Sequence, residues 1–246
     1  MMRRLNSLFA VCAGMAAALT IHSEPASAMT MLRSNDNLIL YGKVVPEDAQ
    51  RFRRNLSGGE VHTVVLTESP GGDLGAAYAI AKLIKDKKIN TAVQGNCFSS
   101  CAVMFMAGTE RRMLANKNLA RTRLGFHGPH NKLTLEVSTE GIPKLREWLL
   151  NATDGKFPEA LLDQAMYINN AGDMMYFYYP GANKNNNIRF CKAGTIAYPK
   201  LCETVTGHDV VSVGILTTAE LLKVEELDQQ AAGGKENPVA TENLKQ

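Results

Sequence analysis

Three short segments of this chain carry residue types that perform acyl-transfer chemistry. The first is Ser69-Pro70-Gly71-Gly72. Adjacent glycines let backbone N–H groups approach a ligand without a Cβ in the way, and a helix starting just after the turn adds positive dipole character. Such a turn can hold an oxyanion, although a Pro-Gly-Gly sequence is most often only a turn. The second segment is Gly95-Asn96-Cys97-Phe98-Ser99-Ser100-Cys101. Hydrolases display a nucleophilic serine on a strand-to-helix turn, with the N–H of the next residue facing the oxyanion, but a serine before a helix more commonly serves as an N-cap. The third is Leu124-Gly125-Phe126-His127-Gly128-Pro129-His130. A histidine at a strand end, followed by a Gly-Pro turn, presents an imidazole at the same sheet edge. Each segment alone has a structural explanation. Together, in chain order, a glycine pair, a serine and a histidine after three predicted strands describe an acyl-transfer site.

The elements that must position these residues alternate from about residue 37. Asn37 to Val44 is apolar and strand-prone, and Pro46-Glu47-Asp48 opens a helix with proline and acids in its first turn. Val61 to Thr67 reads as a buried strand running into the glycine turn. Leu74, Tyr78, Ala81 and Ile84 recur at helical spacing up to Lys85. Thr91 to Gln94, Arg111 to Leu114 and Arg123 to His127 read as further strands, and Ser99 to Ala107 as an apolar helix. Two more helices are expected over Thr139 to Leu150 and Pro158 to Asn170. The alternation argues for an α/β fold with a mostly parallel sheet. Beyond Asp173 the pattern is irregular and reads as an excursion pinned by cysteines. A last amphipathic helix is expected over Leu216 to Gln230, and residues 232–246, with little to bury, are expected to be disordered.

The N-terminus defines the compartment. Arg3 and Arg4 precede a mostly apolar run from Leu5 to Ile21, and Ala26-Ser27-Ala28 supplies a small-x-small cleavage site. That order is the signature of a secretory signal peptide rather than a buried helix, so residues 1–28 are expected to be removed and the mature chain to begin at Met29 in the periplasm or outside the cell. Cleavage removes two arginines and one glutamate, which lowers the formal charge of +3 by one unit. Near-neutral charge gives no support for nucleic acid or an anionic membrane as partner. Residues 29–231 suffice for one large domain with a proper core. Cys97, Cys101, Cys191 and Cys202 remain after cleavage. An even number in an exported chain favours disulfides over metal or redox sites. Of three pairings, Cys97 with Cys101 and Cys191 with Cys202 is preferred because it closes two short loops.

The stretch from Glu68 to His130 resembles the family of the Clp protease proteolytic subunit and its exported relatives, within the wider Clp/crotonase fold. Ser69-Pro70-Gly71-Gly72-Asp73 looks like that family's glycine turn. Gly95 to Gly108 is similar to its nucleophile segment without a gap, and Phe126-His127-Gly128-Pro129 to its histidine motif. The resemblance implies stacked ββα units, Ser99 as nucleophile, His127 as base, and the Gly72 and Ser100 amides as oxyanion hole. It makes Cys97-x-Ser99-x-Cys101 look like a feature of the exported branch. For the third triad member it points to Asp173, with Asp163 and Asp209 as competitors. His130 is expected to matter much less than His127.

The expected function is therefore an exported serine peptidase or related hydrolase, with Ser99, His127 and Asp173 as triad. The alternative is a non-catalytic binding or assembly module on the same fold. A Ser-Lys dyad is a third arrangement, but no lysine stands out. No cofactor or metal is expected. The partner is a peptide or protein substrate, with no ATP-dependent unfoldase in a compartment lacking ATP, and the resemblance implies a homo-oligomer.

Overall fold

The computed structural model describes residues 28–227, apart from 132, 133, 135, 169, 182–186 and 197. The leader expected at 1–28 lies outside the described residues except for Ala28, and so does the tail expected at 232–246.

Among the described residues nine strands share one sheet. They are β1 (Thr30–Ser34), β2 (Asn37–Tyr41), β3 (Thr63–Ser69), β4 (Asn90–Phe98), β5 (Arg111–Met113), β6 (Arg123–Phe126), β7 (Met174–Tyr178), β8 (Ile188–Cys191) and β9 (Glu203–Thr204). The order is β1-β2-β3-β4-β6-β7-β8-β9, with β5 paired to β4 outside this path. Pairings among β2, β3, β4, β5 and β6 are parallel. Those joining β1 to β2, and β6 through β7 and β8 to β9, are antiparallel. The expected mostly parallel sheet is thus corrected to a parallel centre with antiparallel flanks. The missing signal was alternation: all five residues of β7, Met174 to Tyr178, are buried, so its sequence shows no period of two.

Successive side chains of a strand point to opposite faces, and the core follows that rule. Leu38, Leu40, Val64 and Leu66 join the main cluster with Phe52 and Leu56 of α1 (Asp48–Ser57) and Ile80 and Ile84 of α2 (Leu74–Asp86). Val65 and Ala92 face the other way, against Leu222 and Leu227. The helix α2 buries Ala77, Ile80, Ala81 and Ile84 at i, i+3, i+4 and i+7, the stripe an amphipathic helix needs. Its start is fixed by Asp73, whose carboxylate accepts the Ala76 N–H at 2.9 Å. Three further helices, α3 (Ser100–Phe105), α4 (Ile142–Ala152) and α5 (Glu159–Met166), pack on the same cluster.

Strand β4 forks the sheet and thereby builds the site. Its first half, Thr91 to Val93, pairs with β5, and its second, Asn96 to Phe98, pairs with β6. Between the halves, the β3–β4 register slips after Thr67. Glu68 there takes φ 41° and Gly95 φ 67°, and Asn96 Nδ2 donates to Glu68 Oε2 at 2.9 Å. An irregularity of this kind bends strands next to functional sites, and it turns the ends of β3 and β4 together.

The helix expected over Leu216 to Gln230 is not formed as such. Residues 216–223 are bends and an isolated bridge, a helical turn occupies only 224–227, and 228–230 lie outside the described residues. Long-range pairing overrides the local helical pattern: Thr217 N–H donates to Arg111 O, Leu222 N–H to Met113 O, and Ala115 N–H to Leu222 O. The excursion beyond Asp173 is pinned as expected, with Cys191 at the end of β8 bonded to Cys202 beside β9.

Candidate active site

Ser99 sits between β4 and α3 with φ 54° and ψ −123°. A non-glycine residue held there costs about 1–3 kcal/mol, so its surroundings must impose the conformation. Two constraints do so. Ser99 N–H donates to Gly125 O of β6 at 2.8 Å. Cys97 and Cys101, both fully buried, are joined across the turn, with Cα atoms 5.3 Å apart. The disulfide occupies those cysteines, as expected, and leaves neither as a free thiol for a metal or redox site. The N-cap explanation fails as well, because Ser99 stands at the cap position and its hydroxyl caps no N–H.

The glycine turn is pressed against this elbow. Val44 N–H donates to Gly71 O and Asp73 N–H to Val44 O, each at 2.9 Å. Gly71 has φ 87°, and a Cβ placed there would stand 2.9 Å from Ser99 Cβ and 3.0 Å from Ser100 N. Gly72 has φ 147°, and its Cβ would collide with Val44 O. Only glycine allows this approach. The Gly72 N–H takes no part in the turn's hydrogen bonds. That of Ser100 opens α3, where the first N–H groups have no intrahelical acceptor. Neither N–H has a hydrogen-bond acceptor among the described residues.

Ser99, Ser100, Gly72, His127 and His130 line one cavity of about 240 Å³, with Leu74, Val103, Phe126 and Leu145 as apolar walls. The structure thus brings together the residues predicted from all three segments. Ser99 and His127 share this space without a hydrogen bond between them among the described residues; such contacts are often long until a substrate is seated. Among the described residues the lining contains no lysine. Burial, reinforced by the neighbouring His130 and opposed by the Gly128 carbonyl, holds the His127 imidazole down at about 4. His127 is thus neutral at neutral pH, the form a general base requires.

Among the described residues the lining contains no carboxylate either. Asp173 borders a different cavity with Gln164, Tyr167 and Lys192, and its carboxylate accepts the Ala193 N–H at 2.9 Å. Asp163 pairs with Arg146 Nε at 2.9 Å, and Asp209 accepts the N–H groups of Val211 and Ser212. The structure therefore does not bring Asp173, or either competitor, to His127. What faces His127 Nδ1 is Gly128 O at 2.7 Å and His130 Nδ1 at 3.0 Å. Sequence reasoning set His130 aside. The available signal was its place three residues after His127, across a Gly-Pro turn that folds one ring back onto the other, with centroids 4.9 Å apart.

No family model matches the chain, and no curated protein matches it. Among solved structures it is similar to ClpP1 from Listeria monocytogenes, at 15% identity and a TM-score of 0.45, over 77% of this chain and 92% of that one. A point mutant of the same protein gives 15% identity and a TM-score of 0.48, over 78% of this chain and 95% of that one. Likeness at this level carries no weight for the chemistry, which rests on the residues themselves.

Proposed function

We propose that this chain is an exported serine hydrolase on a Clp-like fold, acting on peptides. The observation that carries the reading is Ser99, held with a left-handed φ between strand and helix while its hydroxyl caps nothing. In the reaction, His127 Nε2 takes the proton from Ser99 Oγ as the oxygen adds to a carbonyl carbon. The Gly72 and Ser100 amides receive the oxyanion, an interaction worth about 10²–10³ in kcat per donor in comparable sites. Collapse expels the amine, which takes the proton from His127 Nε2, and water then releases the acyl group by the same route. The apolar walls, Leu74, Val103, Phe126 and Leu145, suit an apolar side chain on the acyl side. Export follows from residues 1–28 and removes any ATP-driven unfoldase from the scheme; assembly into a homo-oligomer is part of the same proposal.

The test is turnover of a fluorogenic peptide set by the mature protein, beside Ser99→Ala and His127→Ala. Cleavage that both substitutions abolish supports the hydrolase. Folded protein that binds peptides without cleaving any of them supports the binding-module reading instead.

A further inference from the structure

We infer that His130 is the positioning residue of this site, taking the place that a carboxylate holds in a Ser-His-Asp triad. The inference rests on the hydrolase reading for its kinetic consequence, though not for its structural content. It follows from the way four backbone and side-chain contacts fix protons.

A neutral imidazole has one N–H and one lone pair. His130 Nε2 lies 3.1 Å from Ile168 O. A carbonyl oxygen only accepts, so this contact is favourable when Nε2 carries the proton, which leaves His130 Nδ1 as a lone pair. That lone pair lies 3.0 Å from His127 Nδ1, and Gly128 O, a second acceptor, lies 2.7 Å from the same His127 atom. Two acceptors converging on His127 Nδ1 place the proton there. His127 Nε2 is thereby left unprotonated, the form that can receive the proton of Ser99. Gly128 O also lies 2.8 Å from His130 Nδ1, the one contact this arrangement leaves as lone pair against lone pair. The opposite assignment satisfies it but leaves two such pairs, Ile168 O against His130 Nε2 and Gly128 O against His127 Nδ1, and moves the His127 proton to Nε2, where it blocks the base. The Ile168 and Gly128 carbonyls together thus fix the tautomers of the two rings, with His130 Nδ1 as the side-chain acceptor of the His127 Nδ1–H.

The surrounding packing holds this relay in place. A Cβ at Gly128 would collide with Met166 O, so glycine there lets the turn carrying both histidines lie directly on the end of α5, the segment that supplies Ile168. When His127 becomes an imidazolium during the reaction, its Nδ1–H continues to donate to His130 Nδ1 and Gly128 O. The charge is stabilised through two neutral acceptors rather than a carboxylate, consistent with a cavity lining that holds none among the described residues.

Two measurements on the mature protein test the inference. Long-range proton–nitrogen NMR on histidine-labelled protein at pH 7 should show His127 protonated at Nδ1 and His130 at Nε2. The reverse tautomer at either ring would overturn it, and this readout does not depend on activity. In kinetics, His130→Ala should lower kcat by about 10-fold or more with little change in KM, bounded by the roughly 10⁴-fold cost of a wrong-tautomer base. His130→Asn, whose amide oxygen can stand where Nδ1 stood, should recover most of the loss. Full activity in folded His130→Ala, or His130→Asn no better than His130→Ala, would refute the role. A wild-type protein without turnover but with the expected tautomers would sink the hydrolase reading and leave the relay standing.

Discussion

Acid should spare this site well below the pH at which an ordinary histidine base fails. Burial of the ring, with His130 beside it, lowers His127 from 6.5 to about 4. At pH 5 a group titrating near 4 is about 90% neutral, whereas one at 6.5 is only about 3% neutral. The rate of fluorophosphonate reaction at pH 5, relative to pH 8, should therefore be about 0.9, against about 0.03 for an unperturbed base. The assay is the second-order labelling rate between pH 4 and 8, with Ser99→Ala as blank. A midpoint between pH 6 and 7 would show that His127 is solvated when it reacts, and would refute the reasoning. Stability follows the same sign. The folded pKa is depressed, so the unfolded chain takes up the proton first. The contribution of neutral His127 is fully present above 6.5 and is lost as the pH falls toward 4, by up to about 3 kcal/mol. His127→Gln should flatten that part of the pH–melting curve.

Replacing both Cys97 and Cys101 by alanine should release the elbow. The short loop they close is worth about 2 kcal/mol, comparable to the roughly 1–3 kcal/mol stored at a residue in the Ser99 conformation. Labelling should fall about tenfold, and the melting temperature by on the order of 4–8 °C; unchanged labelling would mean that the Gly125 contact suffices. Asp173→Asn should leave the labelling rate within about twofold of wild type, because Asp173 is engaged with the Ala193 N–H and general-base support is worth about 10²–10⁴ where it exists; a large loss would restore it to the site. Protein recovered from the periplasm should begin Met-Thr-Met-Leu. Met29 N lies 3.3 Å from the fully buried Asp48 carboxylate, so cleavage after Ala28 would convert that contact into a charge-assisted one, worth about 1.5–3 kcal/mol. The cleaved chain should melt above an uncleaved precursor, and an intact Met1 on recovered protein would overturn the export reading.

The parallel centre of the fold was legible because its signals are local. Leu74, Ala81 and Ile84 mark a helix by spacing, and turn residues mark the strand ends beside the site. The antiparallel flanks were not, for physical reasons. In β1 the burial falls from half-buried Thr30 and Met31 to exposed Leu32, Arg33 and Ser34, and β7 is buried throughout, so neither shows the alternation that betrays a strand. Residues 216–223 carry a helical pattern that hydrogen bonds to Arg111 and Met113 override. In the site, residue types gave Ser99, His127 and the glycine turn. The partner of His127 depends on how a Gly-Pro turn folds His130 back against Ile168, which a linear reading attuned to carboxylates does not register.

The most direct measurement is mass mapping of the fluorophosphonate adduct on the purified mature protein. A single adduct on Ser99 is expected, none on Ser100, whose Oγ is buried without a partner, and near-complete loss of labelling in His127→Ala. An adduct on Ser100, or labelling of Ser99 that survives the loss of His127, would contradict it.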